Sequence, residues 1–321
     1  EGLIGEWTIA YGANRTLTFV TDEKTHFHPR GEDALQLFAV GRWVEVNVTR
    51  SRGGIYIAKF VRIDDYELGE IVVRLESPAI SETIASKYGL VLSSTLLNQA
   101  NIYLYATNED DEQKVAERIA KERGVIWAEV NYVNSVPEQE GYKTWGWGGP
   151  TEPDAYLGQS AYQQIRLGYT SRSYQGDGIV VAVLDTGIYA PHEQFNGRLR
   201  LPSLDVIDDD NDPSDEGGGL AWGHGTHVAG VIAAMAPGAT ILPVRVLDEH
   251  GRGNTFLLAY AIEWAMQQPG VKVINLSLGT EYDSRILRDV IKRATEQGIV
   301  VVAAAGNNSS SQIQYPASYD G

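Results

Sequence analysis

The chain has no cysteine, and this absence excludes several kinds of chemistry. Without cysteine, its 321 residues cannot form a disulfide, a thiolate metal site or a catalytic thiol. The sequence also has no apolar run long enough to span a bilayer. A chain of this length predicts two or three domains with a sizeable hydrophobic core.

Basic residues are the second shortage. The chain has 42 acidic and 26 basic side chains, which gives a formal net charge of −16. Nucleic acids and anionic lipid surfaces are bound by basic protein surfaces. The composition therefore predicts no nucleic-acid partner and no membrane partner, and an acidic surplus also keeps a protein soluble.

Residues 1–66 show the two-residue alternation of short strands. Trp7 and Ile9 alternate with polar residues, and so do Val44, Val46 and Val48 further along the chain. Five short strands of this kind predict a small N-terminal β-barrel with antiparallel strands. No catalytic group stands out in this region.

Residues 69–133 predict a ferredoxin-like α+β domain, in the order strand, helix, strand, strand, helix, strand. The first helix is predicted to begin with Ser81 as its cap and to end at Gly89. The second is predicted to begin at Asp110 and to end at Gly124.

The remainder of the chain predicts a linker and a third domain. Residues 134–154 contain prolines and glycines without periodicity, which indicates a linker. From 155 to 321, strands and helices alternate, as in an α/β domain with a doubly wound, mostly parallel sheet. The segment 179–184 is entirely apolar, as a buried parallel strand should be.

Two polar residues follow strands of this third domain. Asp185 comes directly after the apolar strand, where functional side chains collect in open α/β sheets. The alternative interpretation is an ordinary aspartate that caps a turn. Asn307 follows a later apolar strand, and its amide can donate to an oxyanion. The sequence Asn-Asn-Ser is also good turn chemistry, so a turn-forming asparagine is the alternative there.

His224 lies between two glycines at the predicted start of a helix. One interpretation is a general base, and the other is a solvent-exposed histidine at a helix start. His227 lies three positions later on the same helix face, and two histidines at this spacing can bind zinc. The HExxH pattern of zinc peptidases is absent, so we interpret His224 as a base and His227 as a structural residue.

The three candidates occur in the motifs AVLDTG, HGTHVAG and AAAGN, with NLSLG between the last two. In this order the region 155–321 resembles the subtilisin-like serine peptidase family. The resemblance implies that Asp185 orients the imidazole, that His224 is the general base and that Asn307 lies in the oxyanion hole. It also implies an endopeptidase that hydrolyses proteins through an acyl-enzyme.

The same resemblance implies how an extended polypeptide substrate binds. Two segments clamp the substrate by strand addition, and a third segment walls the specificity pocket. The implied substrate-binding residues are Gly251, Arg252, Gly253, Ser277, Leu278, Gly279, Ala304, Ala305 and Gly306.

The regions that precede residue 155 also have counterparts in this family. Residues 69–133 resemble its inhibitory propeptide, which makes this domain an expected intramolecular inhibitor and the linker the expected processing region. Residues 1–66 resemble small β-barrel modules of some bacterial relatives. The chain begins at Glu1 without Met, so we expect a secreted protein whose signal segment lies upstream.

An acidic run, LDVIDDDNDPSDE, precedes the histidine motif. Such a run is usually a solvated loop. Here the carboxylates are spaced closely enough to supply hard oxygen ligands to Ca²⁺, and the spacing resembles a calcium loop of thermostable and kexin-type relatives. The expected ligands of a structural calcium ion are Asp205, Asp208, Asp210 and Asp212.

The nucleophile is missing from this set of groups. The family places its serine in a GTSMA motif, which does not occur in the chain. The leading hypothesis is a precursor whose nucleophilic serine lies beyond Gly321, so that these 321 residues alone are inactive. The alternative is a catalytically inactive, truncated homologue that acts as a peptide-binding or inhibitor module.

Overall fold

The computed structural model describes residues 4–11, 15–28, 44–51, 53–63, 65–109, 111–137, 160–169, 175–219, 221–307 and 314–320. Most of the predicted linker therefore lies outside the described residues. The chain divides into two compact units, of which the first extends to Asp65 and the second begins at Tyr66. No helix in the described part of the chain combines the length and the apolarity needed to cross a bilayer.

The first unit is a five-stranded sheet. Its strands are β1 (Gly5–Tyr11), β2 (Arg15–Thr21), β3 (His26–His28), β4 (Val44–Arg50) and β5 (Tyr56–Ile63). The pairs β1–β2 and β4–β5 are antiparallel, whereas β2 and β3 both run parallel to β5. The sheet is therefore mixed, and the prediction of purely antiparallel strands is wrong. Phe19, Ala58 and Val61 form its centre, and closure into a barrel stays a prediction.

The second unit begins with an antiparallel sheet and two helices. The elements are β6 (Tyr66–Leu75), α1 (Ser81–Tyr88), β7 (Val91–Ser94), β8 (Ile102–Ala106), α2 (Glu112–Ile119) and β9 (Val125–Ser135). β6 lies between β8 and β9, and β7 pairs with the outer edge of β8. Ile71, Val73 and Leu75 alternate along β6 and pack in one core with Val115 and Ile119 of α2.

The starts of these two helices differ slightly from the prediction. Ser81 is the first residue of α1 rather than its cap, and its hydroxyl bonds to the Tyr105 phenol at 2.7 Å. The cap of α2 is Asp111, whose carboxylate accepts a hydrogen bond from the Lys114 amide at 3.0 Å. The residue predicted to open this helix, Asp110, lies outside the described residues.

The rest of the second unit is built on a parallel sheet. Its elements are α3 (Ser160–Gln164), β10 (Val180–Asp185), α4 (His224–Met235), β11 (Thr240–Arg245), β12 (Arg252–Asn254), α5 (Thr255–Met266), β13 (Val271–Leu276), α6 (Arg285–Glu296) and β14 (Val300–Ala303). Four strands run parallel in the order β11–β10–β13–β14, so the predicted parallel α/β sheet is confirmed. The chain passes from β10 to β11 on one side and then crosses to β13 on the other side of β10. This reversal of strand order is a switch point, where a crevice is expected at the carboxyl end of β10.

Strand β9 is longer than the sequence predicted. It has 11 residues and ends at Ser135, two residues inside the segment that we assigned to the linker. Its last three residues pair antiparallel with β12, so one sheet runs β12–β9–β6–β8–β7. The first Pro after this strand is Pro137, and Pro is the residue that cannot continue a ladder of backbone hydrogen bonds. The chain therefore stays extended until that position.

Side chains of β9 also cap two helices of the α/β part. The Glu129 carboxylate accepts hydrogen bonds from the Ser284 hydroxyl (2.9 Å) and from the Arg285 (2.8 Å) and Ile286 (3.1 Å) amides at the start of α6. Burial raises the pKa of Glu129, although the bonds from the two amides act to lower it. Asn131 accepts from the Phe256 amide at 3.0 Å at the start of α5. These contacts satisfy helix-end donors that have no partner within their own helix.

Replacing Glu129 with Ala tests the capping of α6. The variant leaves buried donors at this helix end without an acceptor, so we expect a loss of about 2–4 kcal/mol in the free energy of unfolding. Urea unfolding, followed by tryptophan fluorescence, measures the difference. Glu117→Ala is the matched control, because Glu117 is an exposed glutamate on α2. Equal losses in the two variants would contradict a stabilising role for the cap.

Candidate active site

The predicted acid and base meet at the carboxyl end of β10. Asp185 is the last residue of this strand, and His224 is the first residue of α4. His224 Nδ1 lies 2.6 Å from Asp185 Oδ1, and both side chains are almost fully buried. The same carboxylate oxygen accepts from the Thr186 amide at 2.8 Å, which fixes its orientation.

Glycines make this close approach possible. A Cβ atom at Gly225 would lie 2.2 Å from the Gly187 carbonyl oxygen and 3.1 Å from the Cβ of Asp185, so a larger residue would push the helix away from the strand. Gly187 itself has a φ of 105°, a conformation that favours glycine. The glycines in the two sequence motifs therefore set the distance between acid and base.

The hydrogen bond between these residues assigns roles to the two ring nitrogens. An ionised Asp185 is an acceptor only, so His224 Nδ1 carries the proton that they share. Nε2 is then the basic nitrogen, which is the tautomer that a general base needs. The pair can take a proton from a nucleophile and hold the resulting positive charge beside a buried carboxylate.

Asn307 lies on the same cavity as His224. The cavity has a volume of about 530 Å³, and its wall includes Pro137, Ser277 and Ala304 besides these two residues. Asn307 is exposed and follows β14 after Gly306, whose φ is 91°. The structure thus brings together all three candidates, with Asp185 one hydrogen bond behind the cavity. His227, which we interpreted as structural, also lies on its wall.

The two predicted clamp segments hold a strand of the chain itself. Gly253 pairs with Asn134 along β12, and the Val136 amide donates to the Gly251 carbonyl at 3.0 Å. On the opposite side, Ser135 and Gly279 exchange two backbone hydrogen bonds, each of 2.9 Å. Residues 133–136 therefore lie between both segments in the manner of an added strand.

The other implied substrate-binding residues take different positions. Arg252 pairs with Ser135 through the backbone. Leu278 is fully buried and packs in the core, so its side chain does not face the cavity. Ala304 donates its amide to the Leu276 carbonyl at 3.0 Å, whereas Ala305 is exposed. Among the implied residues 277–279 and 304–306, Ser277 and Ala304 line the cavity.

The α/β part of the chain matches the subtilase family over residues 176–321. These residues form a subtilase domain. A thermophilic serine proteinase of Bacillus sp. (strain AK1) is 30% identical over 291 residues, which are 86% of this chain and 65% of the relative. The minor extracellular protease Epr of Bacillus subtilis (strain 168) is 28% identical over 263 residues, 78% of this chain and 38% of the relative.

A solved structure with the same fold is fervidolysin from Fervidobacterium pennivorans, described as a keratinolytic enzyme related to subtilisin. The TM-score is 0.61 and the identity 24%, over 78% of this chain and 42% of that one. The likeness supports the subtilisin-like fold. The chain spans less than two thirds of the length of each of these three relatives.

The acidic run of the subtilase domain is arranged around an arginine. Nη1 of Arg245 donates to Asp205 Oδ2 at 2.8 Å, to Asp208, and to Glu216 Oε2 at 3.4 Å. Asp205 and Arg245 are both almost fully buried. The guanidinium therefore pairs with two of the four carboxylates that we expected to hold calcium, Asp205 and Asp208.

The other two expected ligands are used within the loop. Asp210 accepts from the Asp212 amide at 2.8 Å, and Asp212 accepts from the Ser214 hydroxyl at 2.6 Å. Throughout the described residues, no three His, Asp or Glu side chains are grouped to hold a metal ion. This arrangement does not fit a calcium cage, and calcium binding at this loop stays a prediction that requires Arg245 to move away.

Sequence reasoning missed that residues 134–136 occupy the clamp. Their polar character and the following Pro137 are typical of a linker, so the strand was predicted to end at 133. One signal was available in the sequence. No proline occurs from 125 to 136, and a residue that precedes proline is restricted to extended backbone, which favours a strand that continues to 136. It also missed Arg245, because its charge partners lie far away in the sequence.

Replacing Arg245 with Gln tests what neutralises the acidic run. Losing one partner of a buried ion pair is expected to cost about 3–5 kcal/mol in the free energy of unfolding. If calcium competes with Arg245 for the same carboxylates, Ca²⁺ should recover part of this loss in the variant and stabilise the native protein less. Unfolding midpoints in EGTA and in excess Ca²⁺ measure both effects. Equal Ca²⁺ stabilisation of the two proteins would rule out such competition.

Proposed function

We propose that the chain is the precursor form of a serine endopeptidase, in which the ferredoxin-like domain is an intramolecular inhibitor. The observation that carries this proposal is the position of residues 133–136. They are hydrogen-bonded between the two clamp segments, and Pro137 follows them on the cavity shared by His224 and Asn307. A chain segment bound in this way occupies the place of a polypeptide substrate.

The proposed reaction is acyl transfer with a serine nucleophile. His224 Nε2 takes the proton of the serine hydroxyl as its oxygen attacks the peptide carbonyl, and Asp185 stabilises the imidazolium that forms. The Asn307 amide donates to the oxyanion. His224 then passes the proton to the leaving amine as the C–N bond breaks. Water hydrolyses the acyl-enzyme in a second cycle of the same proton transfers.

We propose that the nucleophile lies beyond residue 321. One wall of the cavity supports this, because it is an apolar face of α4 formed by Val228, Val231, Ile232 and Met235. Met235, at the far end of this face from His224, is 45% exposed, and Val228, Val231 and Ile232 are half-buried. A further helix that carried a serine to His224 Nε2 would cover this face.

The capping contacts of β9 support the inhibitor role. Glu129 and Asn131 bind the starts of α6 and α5, and Asp289 of α6 accepts from Arg74 at 2.5 Å and from Trp127 at 2.9 Å. Since the inhibitor and the cleft belong to one chain, their effective concentration is high and modest contacts are enough for occupancy. The proposed partners are therefore this domain in the precursor and extended polypeptides after its removal.

A secreted location and the absence of nucleic-acid or membrane partners belong to the same proposal. One relative is named as an extracellular protease. The net charge of −16 disfavours phosphate backbones and anionic lipids.

A second candidate is a catalytically inactive homologue that binds extended peptides or acts as an inhibitor. The clamp segments are consistent with this second candidate, because a peptide can bind by strand addition without any nucleophile.

Activity measurements on two lengths of the protein separate these candidates. We expect residues 1–321 to hydrolyse no peptide substrate and to show no serine labelling by a fluorophosphonate probe, because the proposed nucleophile lies beyond them. A form extended to include a serine in a GTSMA motif should hydrolyse casein and release the inhibitor domain.

His224→Ala in the extended form should retain the inhibitor domain, as seen by mass spectrometry. The inactive homologue is supported if the gene ends after residue 321 or if the extended protein stays unlabelled by the probe. Normal processing of His224→Ala would assign the cleavage to another protease.

A proline in place of Ser135 tests the occupancy of the clamp. Proline removes the amide that donates to the Gly279 carbonyl, so the strand should leave the cleft more often. We expect hydrogen exchange at the Gly279 amide to become about fivefold faster, as suits the loss of about 1 kcal/mol. Ser135→Ala is the control, because it keeps the backbone donor. Equal exchange in both variants would contradict the proposed strand pairing.

A further inference from the structure

Asp215, near the end of the acidic run, differs from four of the five aspartates before it by its burial, and from the fifth, Asp205, by its partners. Asp208, Asp209, Asp210 and Asp212 are exposed, whereas Asp215 is only 8% exposed. The ion pairs of Arg245 are with Asp205, Asp208 and Glu216, and Asp215 is not among them. A buried carboxylate requires specific hydrogen-bond donors, so the groups around it indicate its role.

The donors to Asp215 come from both sides of the acid–base pair. Its Oδ2 accepts from the Gly223 amide at 2.9 Å and from the Thr226 hydroxyl at 2.8 Å, at the start of α4. Its Oδ1 accepts from the Thr186 hydroxyl at 3.4 Å, just after β10. Gly223 directly precedes His224, and Thr186 directly follows Asp185.

Thr186 extends this connection to both members of the pair. Its hydroxyl accepts from the Gly225 amide at 3.0 Å, and its own amide donates to Asp185 Oδ1 at 2.8 Å. The Thr226 hydroxyl accepts in turn from the Tyr189 amide at 2.9 Å. The bonds of Gly225 to Thr186 and of Tyr189 to Thr226 join the loop after β10 to the first turn of α4. The bond from the Thr186 amide to Asp185 lies at the start of that loop.

The start of α4 depends on a cap from elsewhere in the chain. The residue at the cap position is Gly223, which has a φ of 90° and no side chain to accept from the helix amides. Asp215, eight residues upstream of Gly223, supplies a carboxylate there instead. A negative group is also favoured at the positive end of the helix dipole.

We propose that Asp215 is a positioning residue that holds His224 and Asp185 at hydrogen-bond distance by tying the start of α4 to the loop after β10. The proposal rests on the proposed function in so far as this pair is the acid and base of the peptidase. Three donors converge on the carboxylate, which suits its ionised form. Burial raises the pKa of Asp215 and the nearby Asp185 adds to this, while the hydrogen bonds lower it.

Nuclear magnetic resonance of residues 1–321 tests the proposal without any need for activity. The chain has six histidines, so selective ¹⁵N labelling gives a small set of ring signals. In Asp215→Asn, the side-chain amide cannot accept all three donors. We expect the Nδ1 proton of His224 to exchange faster with water and the pKa of His224 to fall, because its hydrogen bond to Asp185 is loosened and a nearby negative charge is lost.

Asp209→Asn is the matched control. It makes the same charge change in the same run, and Asp209 is exposed with a φ of 57°, which asparagine tolerates. We expect His224 to titrate as in the native chain. If Asp215→Asn fails to fold, Thr226→Val removes one donor to Asp215 at similar side-chain volume and should shift His224 in the same direction. Unchanged His224 signals in the folded variant would overturn the proposal.

Kinetics of the extended, active form give the second measurement. Loss of alignment should lower kcat about 100-fold and leave KM within about twofold, because the substrate clamp is untouched. Asp209→Asn should keep native values. A kcat for Asp215→Asn equal to that of the control would overturn the positioning role. If the extended native protein has no activity at all, the proposed function fails, while the His224 titration still decides the role of Asp215.

Discussion

The continuous strand β9 is the element on which the second unit depends. Its first part pairs with β6, its middle caps α5 and α6, and its end is held between the clamp segments. A single run of extended backbone thus joins two layers that also share a hydrophobic core, since Val72, Ile102 and Trp127 pack in one cluster with the α/β sheet. Because sheet pairing fixes register, the pairing that sets Glu129 opposite Val72 of β6 determines which residue of β9 reaches the cleft.

The chemistry of this junction is mainly polar. Glu129 is buried and its acceptors are used by donors of α6, so the charge is tolerated only while that helix end is in place. The Asn134 amide is buried in the clamp, and neither its oxygen nor its nitrogen has a partner. The Glu129 contacts hold β9 against α6. The Asn134 side chain weakens the binding of β9 in the clamp, since an unpaired buried amide is costly. The proposed inhibitor role requires this kind of limited stability, because the strand would have to leave the cleft later.

Much of the α/β part was predictable because local signals and tertiary structure agree. An uninterrupted apolar segment gave β10, and glycines around His224 indicated the close contact that the structure contains. The pairing of the end of β9 with β12 was not predictable, because its last residues are polar and their hydrogen-bond partners lie more than a hundred positions away. The parallel pairing of β5 with β2 and β3 in the first unit was not predicted for a similar reason. Alternation of apolar and polar residues indicates a strand but does not indicate which strand it pairs with.

The acidic run shows where charge spacing alone misleads. Its carboxylates are close in sequence, but in the fold Asp205 and Asp208 have different partners from Asp215. Asp205 and Asp208 face the guanidinium of Arg245, so their charge is balanced by an ion pair. Asp215 is directed at amides and hydroxyls around His224, so its charge is balanced by hydrogen bonds and a helix end. A metal would need Asp205 and Asp208 without their arginine, and the carboxylate of Asp215 is used by other donors. Spacing in the sequence predicts the density of charge, and only the donors that each carboxylate meets decide its role.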